Sequence, residues 1–259
     1  MRAFLLLGLL AAIPSGAADP RVGTWTLISA QSSVDPPNRL SLTPVHDAVH
    51  VVMSGENHIE FTANANGHQS PAPGNLMFNQ IELHRIDKRE AQVEEEKNAV
   101  VVGTVREKLS PDGKELTITT AARSHPDQIS VWTRTGGAKV ARDLFAGAWT
   151  EDLSKTRLRQ GLVLKIETDG GGVVHFLGDY SYTARFDGKQ YDLSNSRNDT
   201  VVLESVDPHT VDAIYRRDDQ ITQKDRWTLS ADGQQLTLTT MGTLETGQKL
   251  TERLIFKKQ

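Results

Sequence analysis

Histidine is the residue whose spacing most invites a metal-site interpretation in this sequence. Five of the eight histidines lie between positions 46 and 84, at His46, His50, His58, His68 and His84. Neutral imidazole is a common zinc or copper ligand, and several strands can bring such ligands to one end of a sheet. No pair among the five, however, has a recognised metal-ligand spacing. The pattern therefore favours solvated histidines over a metal site, and the chain has no cysteine to supply thiolate ligands or disulfides.

Two arginines, Arg106 and Arg226, begin the two copies of a repeated stretch and are candidates for ligand binding. A guanidinium binds a carboxylate well because it can donate two parallel hydrogen bonds. Trp227 and Tyr215 are further candidate ligand contacts. Alternation along a strand places Arg226 on the face opposite Trp227, so a surface or structural role is favoured for the arginine unless a β-bulge reverses the register. The hypothesis is that the arginines meet an amphipathic carboxylate.

Other motifs in the sequence favour structure over chemistry. Asp169–Gly172 (DGGG) resembles a phosphate-binding loop, but no Lys-Ser/Thr follows it, so a hairpin tip is expected. Glu94-Glu95-Glu96 lacks calcium-loop spacing and is expected to form an acidic, solvated edge strand. The sequence contains no known catalytic motif. The sequence indicates no cofactor.

The elements that position these residues follow from an internal repeat. Arg106–Thr120 (REKLSPDGKELTITT) recurs 120 positions later as Arg226–Thr240 (RWTLSADGQQLTLTT), with nine of 15 positions identical. Such similarity indicates duplication. Each copy places Asp-Gly between strand-like runs, which predicts a β-hairpin because glycine tolerates the positive φ of a tight turn.

Short strand-like runs fill both halves of the chain. They number eight or nine per half and are separated by turn signals. Many evenly spaced strands in such a length predict an all-β sandwich or up-and-down barrel, and two consecutive antiparallel barrels are preferred. The Pro-rich segments Val34–Pro44 and Gly67–Asn75 are expected to be loops at a barrel mouth.

The N-terminal residues predict export. Residues 1–18 combine Arg2, an apolar run and a small-residue end, which is typical of a signal peptide. The formal net charge of −4 and the lack of a basic run argue against a nucleic-acid partner. No later segment is long and apolar enough to cross a membrane as a helix. The mature chain is expected to divide into barrels at 19–138 and 139–259, with a flexible boundary between Thr135 and Val140.

Both halves open with a Gly-x-Trp strand, as GTWTLISAQSS (Gly23–Ser33) and GAWTEDLSKTR (Gly147–Arg157). With the S-x-D-G-x-x-L-T-x-T stretch, these openings resemble the lipocalin-like repeat of secreted bacterial proteins over nearly the whole mature chain. The resemblance implies small calycin-type barrels, each plugged at one end by Gly23 and Trp25 or by Gly147 and Trp149. It also implies an Arg stacked on the Trp; Arg134 and Arg253 are the candidates, although they do not occupy aligned positions.

Together these patterns predict a non-enzymatic, exported binding or carrier protein for a small apolar or amphipathic ligand. The alternative is a structural or interaction module with solid barrels and no small-molecule ligand. A cavity of several hundred Å³ would favour the carrier, because ligand pockets commonly measure roughly 300 to 1,000 Å³. A hydrolase on the same fold is the least favoured interpretation. The sequence does not indicate an oligomeric state.

Overall fold

The structure is a computed structural model. It describes residues 19–55, 58–74, 78–122, 125–137, 143–157, 160–168, 173–177, 181–194, 196, 198–243 and 249–259. The predicted signal peptide at 1–18, the glycine-rich stretch at 169–172 and the end of the predicted boundary at 138–140 lie outside these residues. The described chain is all-β, with one 3₁₀ turn at Ser29–Gln31.

Two barrel-like antiparallel sheets of ten and 11 strands make up the protein. We call the sheet of ten strands barrel I. Its strands are β3 (Arg39–Val45), β4 (Ala48–Ser54), β5 (Ile59–Asn64), β6 (Ser70–Pro71), β7 (Gln80–Arg85), β8 (Glu90–Lys97), β9 (Val100–Leu109), β10 (Glu115–Ala122), β11 (His125–Gly136) and β12 (Gly147–Glu151). Their spatial order is β5-β4-β3-β12-β11-β10-β9-β8-β7-β6. The two outer strands, β5 and β6, meet where the backbone N–H of Asn64 donates to Ser70 Oγ at 2.9 Å.

The sheet of 11 strands is barrel II. Its strands are β1 (Gly23–Leu27), β2 (Ser33–Asp35), β13 (Val163–Thr168), β14 (Val173–Leu177), β15 (Ser181–Arg185), β16 (Asp187–Ser194), β17 (Thr200–Asp207), β18 (Thr210–Arg217), β19 (Gln220–Leu229), β20 (Gln235–Thr243) and β21 (Lys249–Lys258). β1 is hydrogen-bonded to β13 on one side and to β21 on the other, which closes the ring. β2 pairs with the earlier part of β21.

The opening strand of each half lies in the barrel of the other half. β1, which carries Trp25, completes barrel II, whereas β12, which carries Trp149, lies between β3 and β11 of barrel I. Two separate buried clusters follow the same division, because Trp25 packs with residues of β13–β21 and Trp149 with residues of β3–β11. The barrels are therefore not consecutive along the chain as the repeat suggested, and their limits do not coincide with 19–138 and 139–259.

The physical reason for this difference lies in the repeat itself. Both Gly-x-Trp strands offer nearly the same hydrogen-bonding edges and the same buried indole, so either strand fits either gap. Exchange of an equivalent element between two similar units costs little for this reason. Barrel I is formed by one continuous segment from β3 to β12, and barrel II joins both ends of the described chain.

Two local expectations also need correction. The expected loop Val34–Pro44 contains the end of β2 and most of β3, in which Pro44 lies beyond Leu42, the last residue paired with β12. The acidic strand with Glu94-Glu95-Glu96 is not an edge, because β8 is paired with both β7 and β9. In Gly67–Asn75 only Ser70–Pro71 is a strand within the described residues.

Candidate functional site

One end of each barrel is filled by the indole of a Gly-x-Trp strand. Trp25 and Trp149 are 0% and 1% exposed, and each Nε1 donates to the carbonyl four residues earlier, at 2.9 Å to Arg21 and 3.0 Å to Phe145. A cation covers each ring. The Arg134 guanidinium lies 4.0 Å from the centre of Trp149, and Lys258 Nζ lies 5.1 Å from that of Trp25. The two tryptophans therefore have equivalent surroundings.

The cation over the tryptophan differs from what the resemblance implied. Arg134 does stack on a Trp, but on Trp149 from the other half of the sequence. In barrel II the equivalent position is occupied by Lys258, whereas Arg253 pairs with Ser33 on β2. Arg134 donates hydrogen bonds to the carbonyls of Gly113 (2.8 Å), Leu144 (2.6 Å) and Ala146. It thus connects the β9–β10 hairpin to the base of barrel I.

The glycine of each Gly-x-Trp opening makes room for this cation. Gly147 has φ +144°, and a Cβ there would lie 2.5 Å from Arg134 Nη1 and 2.8 Å from the carbonyl oxygen of Gly136. Gly23 has φ +148°, and its Cβ would meet Lys258 Cε at 2.8 Å. Both positions need glycine because the backbone conformation and the covering side chain leave no space.

The candidate ligand-binding residues lie on opposite sides of the sheets. Arg226 is on the outer surface of barrel II, where its guanidinium binds Asp212 through two hydrogen bonds of 2.7 Å. Arg106 is likewise exposed, with Nε 3.5 Å from a Glu90 carboxylate oxygen. Trp227 and Tyr215 are both 0% exposed inside barrel II. The structure therefore does not bring the arginines together with the aromatic rings.

Aromatic side chains fill the interior of barrel II. Phe176 and Tyr182 stack with ring centres 5.0 Å apart and nearly parallel, and Phe176 lies 5.5 Å from Trp227. Tyr215 and Trp227 belong to the same buried cluster. Since these rings are all buried, barrel II has a packed core between its sheet walls.

Barrel I has smaller side chains than barrel II at three of the inward positions, and two of these side chains are carboxylates. The register of the strands makes Glu95, Glu107 and Val51 equivalent to Tyr215, Trp227 and Phe176. Eight inward positions of barrel I are partly exposed, whereas their counterparts in barrel II are buried. The eight are Val51, Phe61, Val93, Glu95, Val105, Glu107, Ile118 and Thr120. The interior of barrel I is therefore less tightly packed than that of barrel II; we call it the barrel I chamber.

Glu95 is the acidic group that faces the barrel I chamber opposite a glycine. It pairs across the sheet with Gly103, where a Cβ would lie only 2.6 Å from Glu95 Oε2. Burial raises the pKa of Glu95 to about 7. Within the described residues, burial is the only cause of this shift, so none of them stabilises the carboxylate by a hydrogen bond or a nearby charge.

Glu107 lies nearer the base of the barrel I chamber, beside an ion pair. Burial raises its pKa, while the charge of Arg85 lowers it and that of Asp143 raises it. Arg85 Nη2 donates to Asp143 at 2.8 Å, and its guanidinium lies 4.5 Å from the ring centre of Phe145. Arg85 is thus paired with Asp143, and Glu107 as a whole residue is only partly buried.

Sequence reasoning treated Glu95 as a surface residue and did not single out Glu107. The signal for both was present in the alternation Ala91, Val93, Glu95 and in the alignment of Glu107 with Trp227. A carboxylate at the position of a buried indole indicates that the two copies differ in their interiors.

A second concavity lies on the outer face of barrel I. It is an open groove of about 530 Å³ across β3, β4, β11 and β12, and small side chains such as Ser41, Ser54, Ala148 and Thr150 line it. Since these residues alternate with the inward-facing ones, the groove is separated from the barrel I chamber by the sheet.

The five histidines between positions 46 and 84 lie on the surface of barrel I and do not gather into one site. His50 and His58 approach the same Glu60 carboxylate, at 3.2 and 3.5 Å, and His84 lies 3.6 Å from Glu82. Among the described residues, no three histidine or carboxylate side chains are placed to hold one metal ion. In the same part of the chain, no helix has the length and apolar character needed to cross a membrane.

Comparison with known proteins adds no relative to this picture. No family model matches the chain, and no curated protein or solved structure is significantly similar to it.

Proposed function

We propose that the protein is an exported binding or carrier protein for a small apolar or amphipathic molecule, and that the barrel I chamber holds the ligand. The observation that carries this proposal is the difference between the two interiors. Barrel II is filled by Phe176, Tyr215 and Trp227, whereas barrel I has accessible, mainly apolar walls at the equivalent positions. Ligand sites are typically concave and apolar with a few polar groups, which is the composition of this chamber.

The lipocalin type of barrel is part of the proposal. It is supported by the Gly-x-Trp strand, the buried indole and the cation on its face, which occur in both barrels with Arg134 and Lys258. Export is supported by the charged, apolar and small-residue regions of residues 1–18. Barrel II, in this proposal, has a structural role.

Binding is favoured over hydrolysis by the surroundings of Glu95. A hydrolase would need a nucleophile or second acid–base group coupled to the shifted carboxyl. Within the described residues, burial alone accounts for the raised pKa of Glu95, so no such group is joined to it. A buried carboxyl without a catalytic partner suits recognition of a ligand group.

The direct test transfers the filling residues of barrel II into barrel I. The double variant Val51→Phe, Glu107→Trp carries the side chains of Phe176 and Trp227 at their equivalent positions. We expect it to remain folded by near-ultraviolet circular dichroism but to lose uptake of an apolar fluorescent probe such as N-phenyl-1-naphthylamine. Native mass spectrometry of the freshly purified wild type should show a bound small molecule that the variant lacks.

The control substitution is Ser41→Phe, which fills the outer groove and leaves the chamber untouched. It is expected to keep probe binding. If Ser41→Phe abolishes uptake and the double variant does not, the outer groove is the binding site. If the wild type carries no small molecule and takes up no probe, the protein is a structural or interaction module instead.

A further inference from the structure

We propose that the barrel I chamber selects amphiphiles with a positively charged amine head group, which forms an ion pair with Glu95. This inference rests on the proposed binding function and adds the chemical class of the ligand. It follows from three properties of the chamber: the position of its carboxyls, the placement of its cations and the nature of its walls.

Among the described residues, Glu95 is an acceptor without a donor. Neither a hydrogen bond nor a neighbouring charge contributes to its raised pKa, although the group is largely buried. An ionised carboxylate in such surroundings is unstable unless it acquires a partner. Barrel II has Tyr215 and Gln223 at the two positions that Glu95 and Gly103 occupy in barrel I. The Glu95 carboxyl itself fills the position over Gly103, because a Cβ there would lie 2.6 Å from Glu95 Oε2, and its inward-facing side is the one that a ligand head group would meet.

Two arginines at the base of barrel I, Arg85 and Arg134, are both engaged by other groups. Arg85 is paired with Asp143, and Arg134 donates to three carbonyls while it covers Trp149. Both arginines also lie near Glu107 or Asp143, whose charges offset theirs. Within the described residues, no cation contributes to the pKa of Glu95, so its ionised form carries an unbalanced negative charge there.

Between Glu95 and the base, the chamber walls are mainly apolar. Val93 pairs across the sheet with Val105, next to Glu95, and Ile118 pairs with Glu107 lower down. Val51 and Phe61 face them from the opposite part of the sheet and pair with each other. An alkyl or aromatic tail would bury against these side chains while the head group remains at Glu95. A carboxylate head group in the same position would instead be repelled.

Two carboxyls of the chamber, Glu95 and Glu107, have pKa values raised by burial, and Glu107 is also influenced by Arg85 and Asp143. Glu151 accepts a hydrogen bond of 2.7 Å from Asn38. In this proposal Glu95, whose pKa no charge among the described residues offsets, sets the pH dependence of head-group binding. Its raised pKa means that an amine must displace a proton below about pH 7, so that amine affinity should fall up to about tenfold per pH unit on acidification.

The experiment compares three probes with the same tail: decylamine, decanol and decanoate, titrated calorimetrically into the mature protein at pH 8. We expect decylamine to bind at least about tenfold more tightly than decanol, and decanoate to bind most weakly. Glu95→Gln should bring decylamine to the affinity of decanol while decanol itself is unchanged. Glu94→Gln is the matched control, because Glu94 pairs with Glu82 on the alternate face of the same strand.

Each outcome has a distinct meaning. If none of the three probes binds, the proposed function fails together with this inference. If decanol binds and decylamine has no advantage, or if Glu95→Gln leaves the advantage intact, only the amine preference is refuted. Tighter binding at acidic pH, or a preference for decanoate, would mean that a protonated Glu95 donates to the ligand, which also contradicts the proposal.

Discussion

Removal of the indole of Trp25 is expected to loosen the C-terminal strands rather than the strands that follow it in sequence. In Trp25→Ala, β1 loses the side chain that packs with β13–β21. Amide hydrogen exchange should therefore become faster across β13–β21 and stay nearly unchanged across β3–β11. Trp149→Ala should give the reciprocal result, because Trp149 packs with residues of β3–β11.

The size of the effect follows from burial. Trp25 is 0% exposed, and truncation of a buried Trp to Ala typically costs about 3–5 kcal/mol. The lost contact with Lys258, 5.1 Å from the ring centre, adds roughly 0.5–1 kcal/mol if it is worth a typical exposed cation–π pair. Since 1.4 kcal/mol is a factor of ten in an equilibrium constant, amides that exchange through opening of barrel II should do so at least about a hundredfold faster.

Hydrogen exchange read by mass spectrometry assigns the acceleration to individual peptides. Thr24→Ala is the control, because it alters the same strand without removing a buried ring. Acceleration of β3–β11 by Trp25→Ala, with β13–β21 still protected, would refute the exchange of opening strands. Such a result would restore two consecutive barrels.

Two further predictions concern single residues of barrel I. Gly147→Ala should lower the free energy of unfolding, measured in urea, more than Gly23→Ala does. A Cβ at Gly147 would meet a backbone oxygen at 2.8 Å, whereas a Cβ at Gly23 would meet the flexible end of the Lys258 side chain. Equal losses of stability in the two variants would contradict this prediction. Burial holds the folded pKa of Glu95 at about 7, above its usual 4.5, so the folded chain retains this proton more tightly and loses stability as pH rises between those values. The Glu95→Gln variant should lack that loss and should therefore be more stable than the wild type at pH 8 by about 3 kcal/mol. The measurement is the urea midpoint as a function of pH, which should vary less in the variant. The same pH dependence in both proteins would contradict the prediction.

Local structure could be predicted from the sequence because the turn chemistry is local. The two Asp-Gly hairpins are confirmed, with Gly113 and Gly233 at φ +70° and +69°. In both turns, the serine hydroxyl accepts from the N–H five residues later at 2.9 Å. The residues that make these contacts lie within a few positions of one another, so the repeated sequence is sufficient to specify the turn.

The partner of each opening strand could not be predicted in the same way. Strand pairing depends on edges that are far apart in sequence, and the repeat makes the two candidate edges alike. Trp25 could pack beside Leu40 or Leu164, since both are leucines in equivalent strands. The number of strands in each half was also too low, because short strands such as Ser70–Pro71 carry almost no periodic signal.

The candidate site was missed because residues that are identical in the two copies of the repeat received more weight than positions at which the copies differ. Arg106 and Arg226 were chosen as candidates because the same residue type occurs at this position in both copies. Both lie on the outer face of their barrel with a carboxylate neighbour. The informative position was the next one along the strand, where Glu107 replaces Trp227. A change from a large ring to a carboxylate at an inward position removes core volume and adds charge, and both effects point to a chamber.

The exchange of strands offers a physical account of why the two interiors could diverge. Barrel II is closed by β1 against β21, near the two ends of the described chain, so its integrity depends on a well-packed core around Trp25 and Trp227. Barrel I is continuous from β3 to β12 and closes without either end of the described chain. Loss of core volume in barrel I therefore does not release a chain end.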